Sequence, residues 1–196
     1  MLCHYFKLQF LMLLAKLIHL PKNFYMDELN EELRNQAKHL GLCNDWQRLW
    51  RKDWSKEKMV EMMYRGLDFC LKYHYPANDF LVKHFELDFL RKSNVFVDDI
   101  YSVCNPKQSL VLGNSKITFR YSAWGFGNVY VRDKSSAKIF TKNKSFVIVH
   151  LFDNAHVEAE QKDKSKIVII KHSTDVTIVA DKSIKIREDY DYLKNE

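Results

Sequence analysis

The second half of the chain carries apolar residues in pairs, with one residue between the two members of each pair. Side chains two positions apart point to the same side of a β-strand, so each pair predicts one short strand with a single buried face. The pairs recur every ten residues, and the clearest are Ile117 and Phe119, Ala137 and Ile139, Val147 and Val149, Val157 and Ala159, and Ile167 and Ile169. Val129 marks the remaining step, and pairs at 176/178 and 184/186 continue the pattern with steps of nine and eight.

Short polar segments separate the predicted strands, and four of them begin ten residues apart at Asp133, Asn143, Asp153 and Asp163. Asp, Asn and Ser stabilise turns because their side chains hydrogen-bond to nearby backbone. Short strands at this spacing fit either an antiparallel β-sandwich or a β-solenoid of stacked coils. The similar turns favour the solenoid, because a meander does not need its turns to resemble one another. Two ten-residue units then make one coil of about twenty residues, with roughly four coils in all.

The region from residue 27 to residue 92 has the spacing of several short amphipathic helices, so the predicted fold class is α+β, a helical bundle followed by the solenoid. Gly41 stands where the first helix would end, and Ser55 is placed to cap a helix that starts at Lys56. Indoles four residues apart share one face of a helix, which predicts a buried stripe. These indoles belong to Trp46, Trp50 and Trp54.

The first 25 residues are the only segment with membrane-like character. Their longest uninterrupted apolar run covers residues 10–15, far short of the roughly twenty residues that span a bilayer. Three interpretations stay open: a packed amphipathic helix, a weak interfacial anchor, or a natural start at Met26. The predicted organisation is an N-terminal extension or amphipathic helix (1–25), a helical head (26–95) and a β-repeat domain (96–190).

The net charge of +6 is concentrated in the β-repeat half. Residues 1–100 hold 15 Lys and Arg against 14 Asp and Glu, whereas residues 101–196 hold 16 against 11. In the twenty-residue coil, Lys144 and Lys164 are one coil apart, and a lysine ridge of this kind attracts phosphate backbones or acidic partners. The competing interpretation is that turn lysines only keep the sheet edges from associating. The lysines considered for the ridge are Lys134, Lys144, Lys164 and Lys182.

The segment YSAWGFGNVY (121–130) interrupts the repeat with aromatic residues among glycines. Tyr121, Trp124 and Phe126 are candidates for an aromatic binding patch. The preferred interpretation is a plug between the helical head and the β-repeat.

The sequence contains no recognisable catalytic, metal or cofactor motif. P-loop, GxGxxG, GxSxG and HExxH patterns do not occur, and the six-residue spacing of His150 and His156 fits no metal site. The four cysteines have no CxxC spacing, which predicts reduced and mostly buried thiols in a cytoplasmic protein. We therefore expect no catalytic residues, no metal and no cofactor.

Three stretches, WSKEKMVEMMYRGLDFCLKYHYP, VYVRDKSSAKI and HLFDNAHVEAE, resemble uncharacterised proteins of gut anaerobic bacteria and of their phages and mobile elements. In that group a short helical head precedes a tail of β-repeats, and the resemblance covers about residues 26–192. It implies a bacterial or phage-encoded cytoplasmic accessory protein, but the group has no assigned activity and so implies no functional residues.

The functional expectation from sequence is a non-enzymatic interaction module whose rigid repeat binds another macromolecule, with a protein as the leading partner. Two alternatives stay open: a nucleic-acid or polyanion binder that uses the lysine ridge, and an enzyme whose site is assembled between coils or around the segment YSAWGFG. Arginine is scarce in the β-repeat half, which argues against bidentate readout of bases. A membrane partner is not expected.

Overall fold

The computed structural model describes the backbone of residues 22–194 and the side chains of residues 26–194. The interpretations of residues 1–21 lie outside this part of the chain. The protein divides into two compact units, one that ends at Phe69 and one that begins at Cys70. The sequence placed the boundary of the β-repeat at residue 96, whereas the compact unit that holds the repeat also includes the helical residues from Cys70 onward.

Six helices precede the strands in the described chain, and none of them is both long and apolar enough to cross a membrane. They are α1 (Lys22–His39), α2 (Asn44–Leu49), α3 (Lys56–Arg65), α4 (Leu67–Lys72), α5 (Asn78–His84) and α6 (Leu87–Lys92).

The first unit confirms the predicted helix ends but not the indole stripe. Gly41 follows α1 at a φ of +89°, and the Ser55 side chain caps α3 by accepting the Lys58 amide at 3.3 Å. The stripe prediction is wrong because α2 ends at Leu49, where the backbone becomes extended. Trp50 and Trp54 instead stack outside that helix with ring centroids 5.1 Å apart, and Trp54 is buried.

The described part of the second unit contains eleven short strands. They are β1 (Val95–Val97), β2 (Ile100–Cys104), β3 (Gln108–Leu112), β4 (Lys116–Tyr121), β5 (Phe126–Val131), β6 (Ser136–Thr141), β7 (Phe146–Leu151), β8 (His156–Gln161), β9 (Lys166–Lys171), β10 (Thr177–Ala180) and β11 (Lys185–Glu188). The odd-numbered strands form a first sheet in the order β1-β3-β5-β7-β9-β11, and the even-numbered strands form a second sheet in the order β10-β8-β6-β4-β2.

Each strand lies parallel to the strand two positions away in sequence, which makes the unit a parallel β-solenoid. In the central coils the register is twenty residues, as in the pairing of Phe146 with Lys166 and of Ser136 with His156. The predicted solenoid is therefore confirmed, and the antiparallel sandwich is not supported. The reason lies in connectivity: a polar turn after every six-residue strand sends the chain from one sheet to the other, so a strand meets its counterpart one full coil later.

The predicted apolar pairs form the core between the two sheets. Ile117, Phe119, Ile139, Val149 and Ile169 are all at most 1% exposed. Burial of apolar surface at roughly 25 cal/mol per Å² makes this continuous stack the main source of the solenoid's stability. At the last two strands the pattern weakens, and Ile186 is 48% exposed.

The two ends of the stack differ. At the N-terminal end α5 and α6 pack on β1, whose three residues are all buried, so the first sheet is capped as repeat proteins require. Near the C-terminal end the segment after β11 folds back, and the Tyr192 ring lies 4.5 Å from that of His172. The Asp189 carbonyl accepts from His172 Nδ1 at 2.7 Å.

Candidate functional site

The polar turns share one backbone conformation, which explains the ten-residue recurrence of Asp and Asn. Asp133, Asn143, Asp153 and Asp163 have φ between 54° and 63°, and in each turn the N–H two residues later bonds to the carbonyl of the residue before, as from Ser135 to Arg132. A left-handed residue costs about 1–2 kcal/mol for most side chains. Apart from glycine, Asn and Asp are the residues that tolerate the left-handed conformation best. Their recurrence every ten residues therefore meets the backbone requirement of these turns.

The same side chains also connect successive coils. The carboxylate of Asp163 accepts the backbone N–H of Asn143 at 2.9 Å, and that of Asp153 accepts the N–H of Asp133 at 3.1 Å. The carboxylate of Asp133 in turn accepts the N–H of Gly113 at 2.7 Å. Each of these turns is therefore fixed relative to the one a coil before it, and the side chains it carries project from a rigid edge.

Successive turns lie at opposite edges of the solenoid, because each turn moves the chain to the other sheet. We call one edge the basic corner; its central coils comprise residues 120–126, 140–146 and 160–166. The other edge, the neutral corner, comprises residues 130–136, 150–156 and 170–176. Pairs such as Phe126 with Phe146 and Ser136 with His156 keep each corner in a column of residues twenty apart.

The two corners differ in charge. The neutral corner holds three cations and three carboxylates, for a net charge of zero. The basic corner holds six cations and two carboxylates, for a net charge of +4. All six cations are exposed, and they are Arg120, Lys142, Lys144, Lys162, Lys164 and Lys166.

Both carboxylates of the basic corner are engaged within the protein. Glu160 Oε1 lies 2.8 Å from Lys162 Nζ, and this bond raises the pKa of Lys162. Asp163 accepts the backbone N–H of Asn143. The remaining lysines of the basic corner make no ion pair with any described residue, so they are available to a partner.

The structure separates the four lysines proposed from sequence. Lys144 and Lys164 occupy the same turn position on successive coils of the basic corner, as the twenty-residue coil predicts. Lys182 lies in the turn before β11, which also leads from the second sheet to the first. Lys134 lies in a turn of the neutral corner, beside Asp133, and is not part of the same ridge.

The three aromatic residues proposed from sequence are separated as well. Tyr121 is 1% exposed, points into the core and donates its hydroxyl to the Pro106 carbonyl at 3.0 Å. Its ring occupies the space that a side chain at Gly127 would fill. Trp124 and Phe126 point outward and are 76% and 49% exposed. Only these two belong to an exposed patch, and both lie in the basic corner.

Two cations of the basic corner lie over exposed aromatic rings. Lys144 Nζ lies 4.4 Å from the centroid of the Trp124 ring, and the Arg120 guanidinium lies 5.7 Å from that of Phe140. A shallow groove of about 370 Å³ runs along the second-sheet side of this corner. It is lined by Cys104, Arg120, Tyr121, Ser122, Phe140, Thr141, Lys142, Glu160 and Lys162.

A cluster at the neutral corner contains side chains that commonly bind metal ions. One of its carboxylates is already engaged by protein groups. Ligand atoms of His74, Asp133 and Asp153 lie within 4.8 Å of one another. However, Arg132, which is 3% exposed, places Nε 3.2 Å from Asp133 Oδ1, and Asn78 donates to the other oxygen at 2.9 Å. The guanidinium therefore already supplies the positive charge that a metal ion would bring.

The groups around Asp133 stabilise its ionised carboxylate. Burial alone would raise the pKa of Asp133, but Arg132, the Asn78 and Gly113 donors and His74 together hold it below its ordinary value. Arg132 also donates to the Cys70 carbonyl at 3.1 Å, which ties the end of α4 to the solenoid. Sequence reasoning missed this role, because an Arg followed by an Asp in a turn looks like an exposed pair.

His150 pairs with His172 in the structure and not with His156, its nearest histidine in the sequence of the β-repeat half. His150 Nδ1 lies 3.0 Å from His172 Nε2, and His150 also stacks on Tyr130 with centroids 4.5 Å apart. Burial, together with His172, lowers the pKa of His150 to about 4. Both rings are covered by Tyr192. The pair is a neutral packing element at ordinary pH.

The prediction that the cysteines are mostly buried is wrong for two of the three described ones. Cys70 is buried, whereas Cys43 and Cys104 are exposed, and Cys3 lies outside the described residues. Cys104 lies in the groove of the basic corner.

No family model, curated protein or solved structure matches this chain. A functional proposal therefore depends on the described residues alone.

Proposed function

We propose that the protein is a non-enzymatic binding module that holds an anionic polymer along the basic corner of its solenoid. One observation carries the proposal: the fold collects six exposed cations at one corner, with a net charge of +4, while the equivalent residues of the opposite corner sum to zero. Lysines that merely kept the protein in solution would not need to be concentrated at one edge with so few carboxylates to balance them.

The scaffold supports this use. Strands in a sheet are about 4.8 Å apart, so the basic corner presents a new set of cations at each coil with little freedom to spread. A row of like charges on a rigid edge attracts a polyanion at long range and releases counterions when the polymer binds. The sequence favoured a protein partner, but the segregation of charge favours a polymer with a regular negative backbone.

The test compares two double charge reversals that change the net charge equally. Lys144→Glu with Lys164→Glu alters the basic corner, and Lys116→Glu with Lys134→Glu alters exposed lysines at the turns on the neutral side. The probe is fluorescein-labelled heparin, measured by anisotropy over a range of salt concentrations. We expect the basic-corner variant to lose at least about tenfold in affinity and about two units of salt slope, since each lysine contact contributes about one unit.

The control variant should stay within about twofold of the native protein, because only screened, long-range charge is altered. Equal weakening by both variants would mean that binding follows total charge, and the proposal would fail. Absence of heparin binding by the native protein at low salt would also refute it.

A further inference from the structure

We infer that the polymer taken by the basic corner is single-stranded nucleic acid, with a base stacked on Trp124. This inference rests on the proposed function and specifies its ligand. It depends on a second feature of the corner, the exposed aromatic rings, which electrostatics alone does not explain.

Trp124 provides an exposed stacking surface in the basic corner. It stands in the turn between β4 and β5, one coil before Lys144, and is 76% exposed. Tryptophan carries a large apolar surface that is usually buried. The Lys144 ammonium lies over its ring at 4.4 Å, so the indole is positioned by a cation–π contact, and most of its remaining surface is open.

Two further aromatic positions flank this ring on either side of the corner. Phe126 is 49% exposed and stacks on Phe146 with centroids 5.9 Å apart. Phe140 is 38% exposed and lies under Arg120. Exposed rings therefore lie close to cations on the first-sheet side, at the turn and on the second-sheet side of the corner.

This combination selects one kind of polyanion. A base offers a flat π-face to an indole while its phosphate meets a lysine, which is the recognition mode of single-strand binders. A duplex hides its base faces in the stack, and a sulfated polysaccharide has none. Five of the six cations are lysines, which neutralise phosphate as point charges without reading base edges, so we expect little sequence preference.

The experiment separates stacking from charge. Anisotropy is measured with a fluorescein-labelled fifteen-residue oligothymidine, the corresponding duplex, labelled heparin and labelled polyglutamate. Trp124→Ala removes the stacking surface without altering charge, and Trp124→Tyr restores a ring. Tyr190→Ala is the matched control, because Tyr190 is also an exposed ring beside a lysine, 5.9 Å from Lys171 Nζ, but lies outside the corner.

We expect the native protein to bind oligothymidine more tightly than duplex or polyglutamate. Trp124→Ala should weaken oligothymidine binding about 5- to 150-fold, the range for loss of one stacked base. The same substitution should leave heparin binding within about twofold, and Trp124→Tyr should recover most of the loss. Tyr190→Ala should change neither affinity. Quenching of tryptophan fluorescence by unlabelled oligothymidine, absent in Trp124→Tyr, gives an independent readout.

The outcomes distinguish the two proposals. If heparin binds through the basic corner but oligothymidine does not, the nucleic-acid inference fails and the proposed function stands. Oligothymidine binding that is unaffected by Trp124→Ala would show attraction by charge only and would overturn the inference. Tighter binding of duplex or of polyglutamate than of the single strand would also overturn it. If neither heparin nor oligothymidine binds, both proposals fail.

Discussion

The hydrogen bond between the Asp163 carboxylate and the Asn143 amide offers a direct test of how the turns hold the coils together. Asp163 Oδ2 lies 2.9 Å from Asn143 N, and Asp163 has a φ of 60°. Both residues are exposed, so a substitution at position 163 alters little packing. Asp163→Asn keeps an acceptor and tolerates positive φ, Asp163→Gly keeps only the tolerance, and Asp163→Ala keeps neither.

The expected losses follow from these two contributions. An exposed hydrogen bond of this kind contributes about 1 kcal/mol, and alanine in the left-handed region costs about 1 kcal/mol more than aspartate. Glycine avoids the conformational cost but increases the entropy of the unfolded chain, which offsets part of that gain. The free energy of unfolding should therefore fall by under about 0.5 kcal/mol for Asn, about 1 for Gly and about 2 for Ala.

The measurement is urea unfolding followed by the circular dichroism of the strands, with the midpoint shift converted through the m-value. Lys164→Ala is the control, because it alters the neighbouring exposed position and should shift stability by less than about 0.5 kcal/mol. If Asp163→Ala proves as stable as Asp163→Asn, neither the bond nor the backbone conformation contributes. A glycine variant less stable than the alanine variant would refute the left-handed conformation itself.

Two further predictions concern buried polar groups. Arg132→Met should lower the free energy of unfolding by about 3 kcal/mol, because it leaves Asp133 partly buried without its cation and the Cys70 carbonyl without its donor. A loss below about 1 kcal/mol in urea unfolding would show that the Arg132–Asp133 pair is effectively solvated. His150 has a pKa of about 4 against an ordinary 6.5. As the pH falls, the unfolded chain therefore binds a proton at His150 before the folded chain does. Stability should be full above about pH 6.5 and fall by roughly 2–3 kcal/mol as the pH approaches 4, after allowance for partial exposure. Because carboxylates also titrate near pH 4, the loss of stability is compared with that of His150→Phe. This variant keeps the stack with Tyr130 and should lose less stability over the same pH range. Identical pH profiles of stability would contradict the low pKa of His150.

Much of the solenoid is determined by local sequence. An apolar residue at every second position makes a strand with one buried face, and a polar turn with Asp or Asn at a left-handed position ends it. Both signals act over fewer than ten residues, so the strands, the core residues and the coil length could be read from the sequence. Gly41 and Ser55 are predictable for the same reason, since helix ends depend on neighbouring residues.

The site depended on pairings that local pattern does not contain. Lys134 and Lys144 follow the same type of turn residue, yet they lie at opposite corners because each turn carries the chain to the other sheet. Tyr121 and Trp124 belong to one aromatic segment, but only the former lies at an inward position, with Gly127 leaving room for its ring.

Charge and histidine contacts required the tertiary register too. His150 meets His172 rather than the closer His156, because twenty-two residues bring the chain round to the adjoining strand while six do not. The basic corner gathers residues from three separate segments, so its charge is a sum over coils. The sequence by itself determined which side chains face outward. The stacking of coils decided which of these side chains are neighbours. This is because contacts between strands one coil apart are set by the hydrogen-bonded register and not by distance along the chain.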